Sequence, residues 1–221
     1  MTQLMPQLVL DLLQPAQPTL DNFVPGRNGE ALASVRAAAQ GQGPQFIYLW
    51  GAEGCGRTHL LRALHPSTHG VPAFSSSQPL YTVDDVHALD ALGQAQLFAL
   101  INDLRGAPHT RLVVAGNAPP NQLPLREDLR TRLAWGLVYA LHPLNDAEKA
   151  TALAQQAKAR GMPLAADTLD WLLAHLPRDM RTLAAALDAL DTYALAHKRS
   201  VTVPLARQWL HDPYNAPRLE K

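Results

Sequence analysis

Between residues 45 and 141 short apolar runs alternate with longer amphipathic stretches. Phe46 to Trp50 (FIYLW) is a continuous apolar run ending at a glycine, the pattern of a strand buried on both faces. Pro79 to Asp84 (PLYTVD), Arg111 to Gly116 (RLVVAG) and Gly136 to Leu141 (GLVYAL) read as further strands. Val71 to Ser75 is a fifth candidate, although Phe74-Ser75-Ser76-Ser77-Gln78 also has the composition of a loop. Leu97, Leu100, Ile101 and Leu104 recur at i, i+3, i+4 and i+7 and predict a helix over Gly93 to Arg105. An alanine-rich helix is predicted over Glu30 to Gln40, closed by Gly41-Gln42-Gly43-Pro44.

Beyond Pro143 the pattern is helical only. Asn145-Asp146-Ala147-Glu148 has capping-box spacing, and Gly161 ends the helix it opens. Leu169, Leu172, Leu173 and Leu176 mark the next helix, which Pro177 closes. Met180, Leu183, Leu187 and Leu190 mark a third, and a short helix closes the chain from about Pro204 to Leu210. Alternating strands and helices followed by helices alone predict an α/β domain, 19–143, and a small helical domain, 144–212. They leave an arm, 1–18, broken by Pro6, Pro15 and Pro18, and a tail, 213–221. No internal repeat is visible.

Composition narrows the function. The 221 residues are 47% hydrophobic, and a chain of this length buries about 70% of its unfolded surface. Nineteen basic residues balance nineteen acidic ones, with no block of like charge. That argues against a dedicated DNA-binding domain, which carries a basic stripe, and against a polybasic membrane surface. The single cysteine excludes an intrachain disulfide and a cysteine-built zinc site. The nine histidines lack metal-site spacing; His65 and His69 are four apart, but Pro66 stands between them. The start has no basic region and carries Pro6 and Asp11, unlike a signal peptide. With no apolar run of ~18 residues, a cytoplasmic protein is expected.

The chemistry centres on residues 51–58, Gly51-Ala52-Glu53-Gly54-Cys55-Gly56-Arg57-Thr58, lying between a strand and a helix. They follow the phosphate-loop pattern G-x-x-x-x-G-K-[ST] except that Arg57 stands in the lysine position. Glycines let backbone N–H groups converge on phosphate oxygens, and the helix starting at Thr58 adds its positive end. Arg57 would reach the β and γ phosphates and Thr58 would bind Mg²⁺. Arginine keeps the charge but prefers planar, bidentate contacts, so nucleotide binding is expected and efficient hydrolysis is not. The bland alternative is a glycine turn. Asp84-Asp85 at a strand end supplies a second half: Asp84 would hold Mg²⁺ through water and Asp85 would polarise a water. Otherwise they are two acids in a turn. Asn117 is a candidate γ-phosphate sensor, although Asn ahead of Pro119-Pro120 is also good turn chemistry. Cys55, at the helix N-terminus, is either an acidified thiol or a small residue at a variable loop position.

These residues resemble a known family. Thr19-Leu20-Asp21-Asn22-Phe23-Val24-x-Gly26, then Gly56-Arg57-Thr58-His59-Leu60-Leu61, are similar to the AAA+ core of the replication initiator DnaA and its relatives. Leu129-Arg130-Thr131-Arg132-Leu133-x-Trp135-Gly136, Arg178-Asp179-Met180-Arg181-Thr182-Leu183 and Val201-x-Val203-Pro204 continue the likeness, which spans about residues 19–210. It implies a P-loop NTPase of the AAA+ type with a parallel five-stranded sheet and an all-helical lid. It also implies bound ADP or ATP with Mg²⁺, held by Gly51, Gly54, Cys55, Gly56, Arg57, Thr58, His59, Asn117 and, from the lid, Arg178 in cis. Arg132 falls at the family's arginine-finger position, a group supplied in trans and worth ~10³–10⁵ in rate. Arg130 and Arg181 are near enough to be confused with these two arginines. About ten residues follow the last helix, so a helix-turn-helix domain is not expected. That layout is similar to DnaA paralogues that inactivate DnaA after replication begins. In the arm, Gln7-Leu8-Val9-Leu10-Asp11-Leu12 is similar to the peptide that docks such proteins on the sliding clamp, the DNA polymerase III beta subunit. Leucines would fill an apolar groove while the Gln amide makes polar contacts; otherwise the arm covers its own core. One departure is length: only 25 residues separate Thr58 from Asp84, so the far sheet edge is expected to be reduced.

The resemblance therefore implies a negative regulator of replication initiation whose partners are DnaA and the clamp, with DNA met only indirectly, no membrane, and a homodimer as one permitted assembly. Two rivals are a self-sufficient ATPase of helicase-loader type, separated by steady-state ATPase of the isolated protein, and a scaffold that bridges clamp and DnaA without promoting hydrolysis.

Overall fold

A computed structural model describes residues 17–65, 70–177 and 179–212. Gln7, Leu8, Leu10 and Leu12 of the expected clamp peptide, and Arg178 of the expected lid contact, lie outside the described residues. Contacts group the described chain into two units, Gln17–Leu144 and a unit that begins at Asn145.

The first unit runs α1 (Gly29–Ala39), β1 (Phe46–Trp50), α2 (Arg57–Leu64), β2 (Leu80–Val83), α3 (Ala91–Arg105), β3 (Arg111–Gly116), α4 (Glu127–Leu133) and β4 (Leu137–Ala140). All strand pairs are parallel and the order is β2-β3-β1-β4. The central strands β1 and β3 carry the two most continuous apolar runs, as double burial requires. Alternate residues of β1 serve opposite faces. Ile47 and Leu49 pack with Val35 and Ala38 of α1 and Leu60 and Leu61 of α2. Tyr48 packs with Leu97, Leu100, Ile101 and Leu104 of α3 and Leu129 and Leu133 of α4. Each such leucine, withdrawn from water, contributes roughly 1.5–3 kcal/mol. The edge strand β4 leaves Leu137 and Val138 exposed.

Two expectations are corrected. The sheet has four strands among the described residues, not five. Val71 to Ser75 is irregular, because Pro72 interrupts it and the Tyr81 hydroxyl takes up its backbone: Ser75 N–H donates to Tyr81 Oη (2.9 Å) and Tyr81 Oη–H donates to Ser75 O (2.6 Å). Phe74 stacks on the same ring at 6.3 Å. The segment thus packs on β2 through a side chain and makes no ladder. The second correction is α2, which starts at Arg57 rather than Thr58, with Gly56 as its N-cap.

The second unit holds α5 (Asp146–Ala159), α6 (Ala166–His175), α7 (Met180–His197) and α8 (Val203–His211). The capping box forms: Asn145 Oδ1 accepts from Glu148 N–H (2.9 Å) and Glu148 Oε2 accepts from Asn145 N–H (2.7 Å). Gly161, at φ +71°, terminates α5. Leu153, Leu172, Leu183, Leu187, Leu190 and Leu205 are fully buried together with Trp209, and an Arg160–Asp188 ion pair ties the end of α5 to α7. Among the described residues no helix is long and apolar enough to cross a membrane.

Candidate nucleotide-binding site

The parallel sheet gathers the expected chemistry at one edge. Register pairs Trp50 with Gly116 and Val83 with Val114, so β1, β2 and β3 all point their carboxyl ends the same way. The 51–58 loop follows β1, Asp84-Asp85 follows β2 and Asn117 follows β3. From β1 the chain crosses past β3 to β2, while β4 lies on β1's other side. That reversal opens the crevice where open α/β sheets bind ligands.

Within the loop Gly54 (φ +76°) and Gly56 (φ +99°) occupy backbone that disfavours side chains. Gly56 supplies no side-chain cap to α2, and the Arg57 N–H, in the first turn, lies against the Cys55 sulfur. Arg57 Nη1 is buried without a hydrogen-bond partner. An orphaned cationic donor beside an uncapped helix start fits a phosphate. The mouth is shaped by a residue not singled out beforehand as a site residue, Phe23. A Cβ on Gly56 would lie 2.6 Å from its Cε2, and its ring meets His59 edge-on at 5.4 Å. Burial pushes the His59 pKa down while the Thr19 carbonyl pulls it up. His59 is therefore neutral at pH 7, and Nε2–H donates to Thr19 O (2.9 Å). His59 thus anchors the Thr19–Phe23 segment over the phosphate loop.

Cys55 is buried beside Gly51, whose missing Cβ leaves room for its sulfur. Burial pushes its thiol pKa up, against the lowering effect of the Arg57 N–H and charge. The thiol is thus a protonated packing group, and the acidified alternative is set aside. Tyr48 donates to Ala118 O (2.7 Å), fixing the chain just past Asn117. Its hydroxyl occupies the space a side chain at residue 116 would need, and burial drives its pKa well up despite Arg57 nearby.

Asp84 is half-buried and its Oδ1 accepts from Asp85 N–H (2.9 Å). Asp85 is exposed, sits in the left-handed region (φ 48°) and lies 4.0 Å from His87 Nδ1. Asn117 is exposed. Among the described residues no group of three His, Cys, Asp or Glu could cage an ion. Thr58 and Asp84 are instead the sparse protein donor set used for Mg²⁺ that arrives with phosphates.

Arg132 stands apart from this constellation, on the sheet face covered by α3 and α4. Its guanidinium carbon lies 3.4 Å over the Phe98 ring and 5.4 Å from the Trp135 centroid. Arg130 Nη1 donates to Asn121 O at 3.3 Å. Asn28 was also missed: Nδ2–H donates to His142 O and Oδ1 accepts from His142 N–H, both at 2.8 Å. Those partners are 114 positions apart, so no local pattern announces them.

Residues 146–210 match the family model described as the Hda lid domain. Over that segment this chain is similar to the lid of Hda. Solved structures agree on architecture. Domain III of the Thermotoga maritima replication initiation protein DnaA superposes with a TM-score of 0.70 at 19% identity, covering 91% of this chain and 98% of that one. AMPPCP-bound DnaA from Aquifex aeolicus gives 0.65 at 21%, covering 84% and 68%. The Thermotoga maritima RuvB Holliday junction branch migration motor gives 0.62 at 14%, covering 90% and 72%. Identities this low establish the fold alone: a DnaA-like α/β core, here with a four-stranded parallel sheet, followed by the helical segment that matches the Hda lid model.

Proposed function

We propose that this chain is a nucleotide-holding regulator that promotes hydrolysis of ATP bound to DnaA, tethered by its arm to the DNA-loaded sliding clamp. The observation that carries the reading is an Hda lid on a DnaA-like core. The loop from Gly51 to Thr58, with the first turn of α2, cradles the phosphates of ADP or ATP. Arg57 supplies a fixed positive charge, Thr58 and Asp84 hold Mg²⁺, and Asn117 meets the outermost phosphate. Arg178 contacts the nucleotide in cis from the lid. Arginine in the lysine position makes the bound species ADP rather than a turning-over ATP, so Asp85 has little hydrolytic work in this subunit. Arg132 acts on a neighbour, where a planar guanidinium stabilises charge on the transferring phosphoryl group. Gln7, Leu8, Leu10 and Leu12 dock on the clamp, and DNA is met only through it. Such a protein works in the cytoplasm.

The test is single-turnover hydrolysis of ATP preloaded on DnaA, with and without this protein, clamp and DNA. Stimulation that requires all three, and that falls by orders of magnitude with Arg132→Ala, is expected. Unchanged DnaA turnover in the complete mixture refutes the reading.

A further inference from the structure

The residues that lead from the arm into the α/β unit are pinned to the phosphate loop. Thr19 and Asn22 close on each other: Thr19 N–H donates to Asn22 Oδ1 (2.8 Å) and Asn22 N–H donates to Thr19 Oγ1 (3.1 Å). Asn22 Nδ2–H reaches back to Gln17 O (2.9 Å). Arg36 of α1 holds the next two residues, donating to Leu20 O (2.8 Å) and pairing with Asp21 at 3.0 Å. The remaining ties run to the nucleotide site. His59, in the first turn of α2, donates to Thr19 O (2.9 Å), and Phe23 is buried against Gly56 and beside the His59 ring. Thr19, Asp21 and Asn22 are exposed, so burial does not hold them; these bonds do.

Fixing an exposed residue costs about as much as a hydrogen bond in competition with water returns. The order of this root is therefore poised, and its ties to His59 and Gly56 help decide it. On its other side lies the arm. Six residues, two of them proline, separate Thr19 from Leu12, the last residue of the expected clamp peptide, and proline in a spacer transmits orientation better than a flexible sequence does. We propose that Gln17–Phe23 is a coupling strap between the nucleotide site and the clamp-binding arm. A nucleotide phosphate in the loop fixes Gly56 and the first turn of α2, and with them Phe23, His59 and the root. An arm leaving a root that is already fixed docks at a smaller ordering cost. The effect is reciprocal by linkage, so clamp docking tightens nucleotide binding by the same factor. The inference deepens the proposed function and rests on its nucleotide and clamp sites.

The full chain would be titrated with ADP, with and without saturating sliding clamp, and with clamp, with and without saturating ADP. In wild type each ligand should tighten the other by about fivefold or more. A Gly-Ser-Gly-Ser insertion between Ala16 and Gln17 keeps both sites and frees the arm from the root. Each ligand alone should then bind within about twofold of wild type, while the coupling factor falls to about one. Asn22→Ala opens the turn without touching either site and should lose most of the coupling in the same way. Hydrogen exchange gives a readout that needs no clamp: ADP alone should slow exchange of the Thr19 and Asn22 amides in wild type. Unchanged exchange at both amides overturns the inference. ADP and clamp that bind wild type independently, or ADP that weakens clamp binding, also overturn it and leave both proposed sites standing. Coupling that survives the insertion and Asn22→Ala runs by another route and overturns the strap. A wild-type chain that binds no ADP, or no clamp, refutes the proposed function itself, and the strap falls with it.

Discussion

Gly56→Ala is the sharpest perturbation of the phosphate loop, because two separate penalties meet at that residue. Gly56 has φ +99° and ψ 12°, and an L side chain in left-handed backbone costs roughly 1–2 kcal/mol. The new methyl would lie 2.6 Å from Phe23 Cε2 and 3.3 Å from Cζ. Phe23 is 8% exposed, so its ring cannot swing freely, and an off-rotamer shift adds about 0.5–1.5 kcal/mol. The total is roughly 1.5–3.5 kcal/mol, or about 5–17 °C in melting temperature for a domain of this size. Gly54→Ala is the control. Its φ is +76°, but nothing lies within 4 Å of the added methyl, so only the backbone penalty of about 1–2 kcal/mol applies. Thermal melts of both variants, with and without ADP, should rank them in that order, and Gly56→Ala should lose the ADP-induced rise as the loop is displaced. Phe23→Leu should relieve part of the Gly56→Ala loss and none of the Gly54→Ala loss. Equal losses for the two glycines, or no relief from Phe23→Leu, would refute the close packing of Phe23 on the loop.

Three further outcomes are expected. His59 has its folded pKa below the unfolded value of 6.5, so the unfolded chain binds the extra proton; stability from this group is fully present above about pH 6.5 and lost as pH falls below it. His59→Gln should flatten that part of a melting-versus-pH curve, and an unchanged slope would exclude the burial account. Asn28→Ala removes both bonds that the buried Asn28 amide makes to the His142 backbone, costing roughly 1–3 kcal/mol in urea unfolding, whereas a loss under about 0.5 kcal/mol would mean water replaces them. Leu10→Ala with Leu12→Ala should abolish clamp binding in a pull-down without lowering the melting temperature, since a few anchors dominate such interfaces; retained binding would remove the arm from the proposal.

How much of this could be read from residues alone depended on the range of the interaction. β1 and β3 were visible end to end because double burial writes itself as a continuous apolar run, and α3 because Leu97, Leu100, Ile101 and Leu104 are all buried as their spacing requires. The capping box of α5 is a four-residue device and was legible for the same reason. α4 was not legible as a helix: in seven residues it buries only Leu129 and Leu133, too short a period to stand out beside Pro119, Pro120 and Pro124. The fifth strand failed because Val71 to Ser75 owes its position to a tyrosine hydroxyl from β2, an interaction no propensity encodes. Phe23 on Gly56, Tyr48 on Ala118, Asn28 on His142 and Phe98 on Arg132 all join segments that approach only once the sheet has formed.

The arginines show why the same residue type reads so differently once folded. Arg111 donates to four backbone carbonyls, those of Gln42, Pro108, Thr110 and Gly41, and so staples two loops together. Arg36 pairs with Asp21 and donates to Leu20 O, and Arg160 pairs with Asp188. These guanidinium groups have partners within the chain, and their work is structural. Arg57 and Arg132 are the two arginines among the described residues that keep a buried Nη1 with no acceptor. A buried cationic donor left unmet costs at least about 1–3 kcal/mol, a cost that an oriented anion removes. One of the two stands in the phosphate loop beside an uncapped helix start, and the other is clamped by rings on the opposite flank of the sheet. Under the proposed function they meet different anions, Arg57 the phosphates of its own nucleotide and Arg132 those of a neighbour. The prediction that separates them is a pair of opposite losses. Arg57→Ala should lose the ADP-dependent rise in melting temperature first. Arg132→Ala should keep that rise and lose stimulation of DnaA. Identical phenotypes for the two variants would mean that one site, not two, explains both orphaned donors.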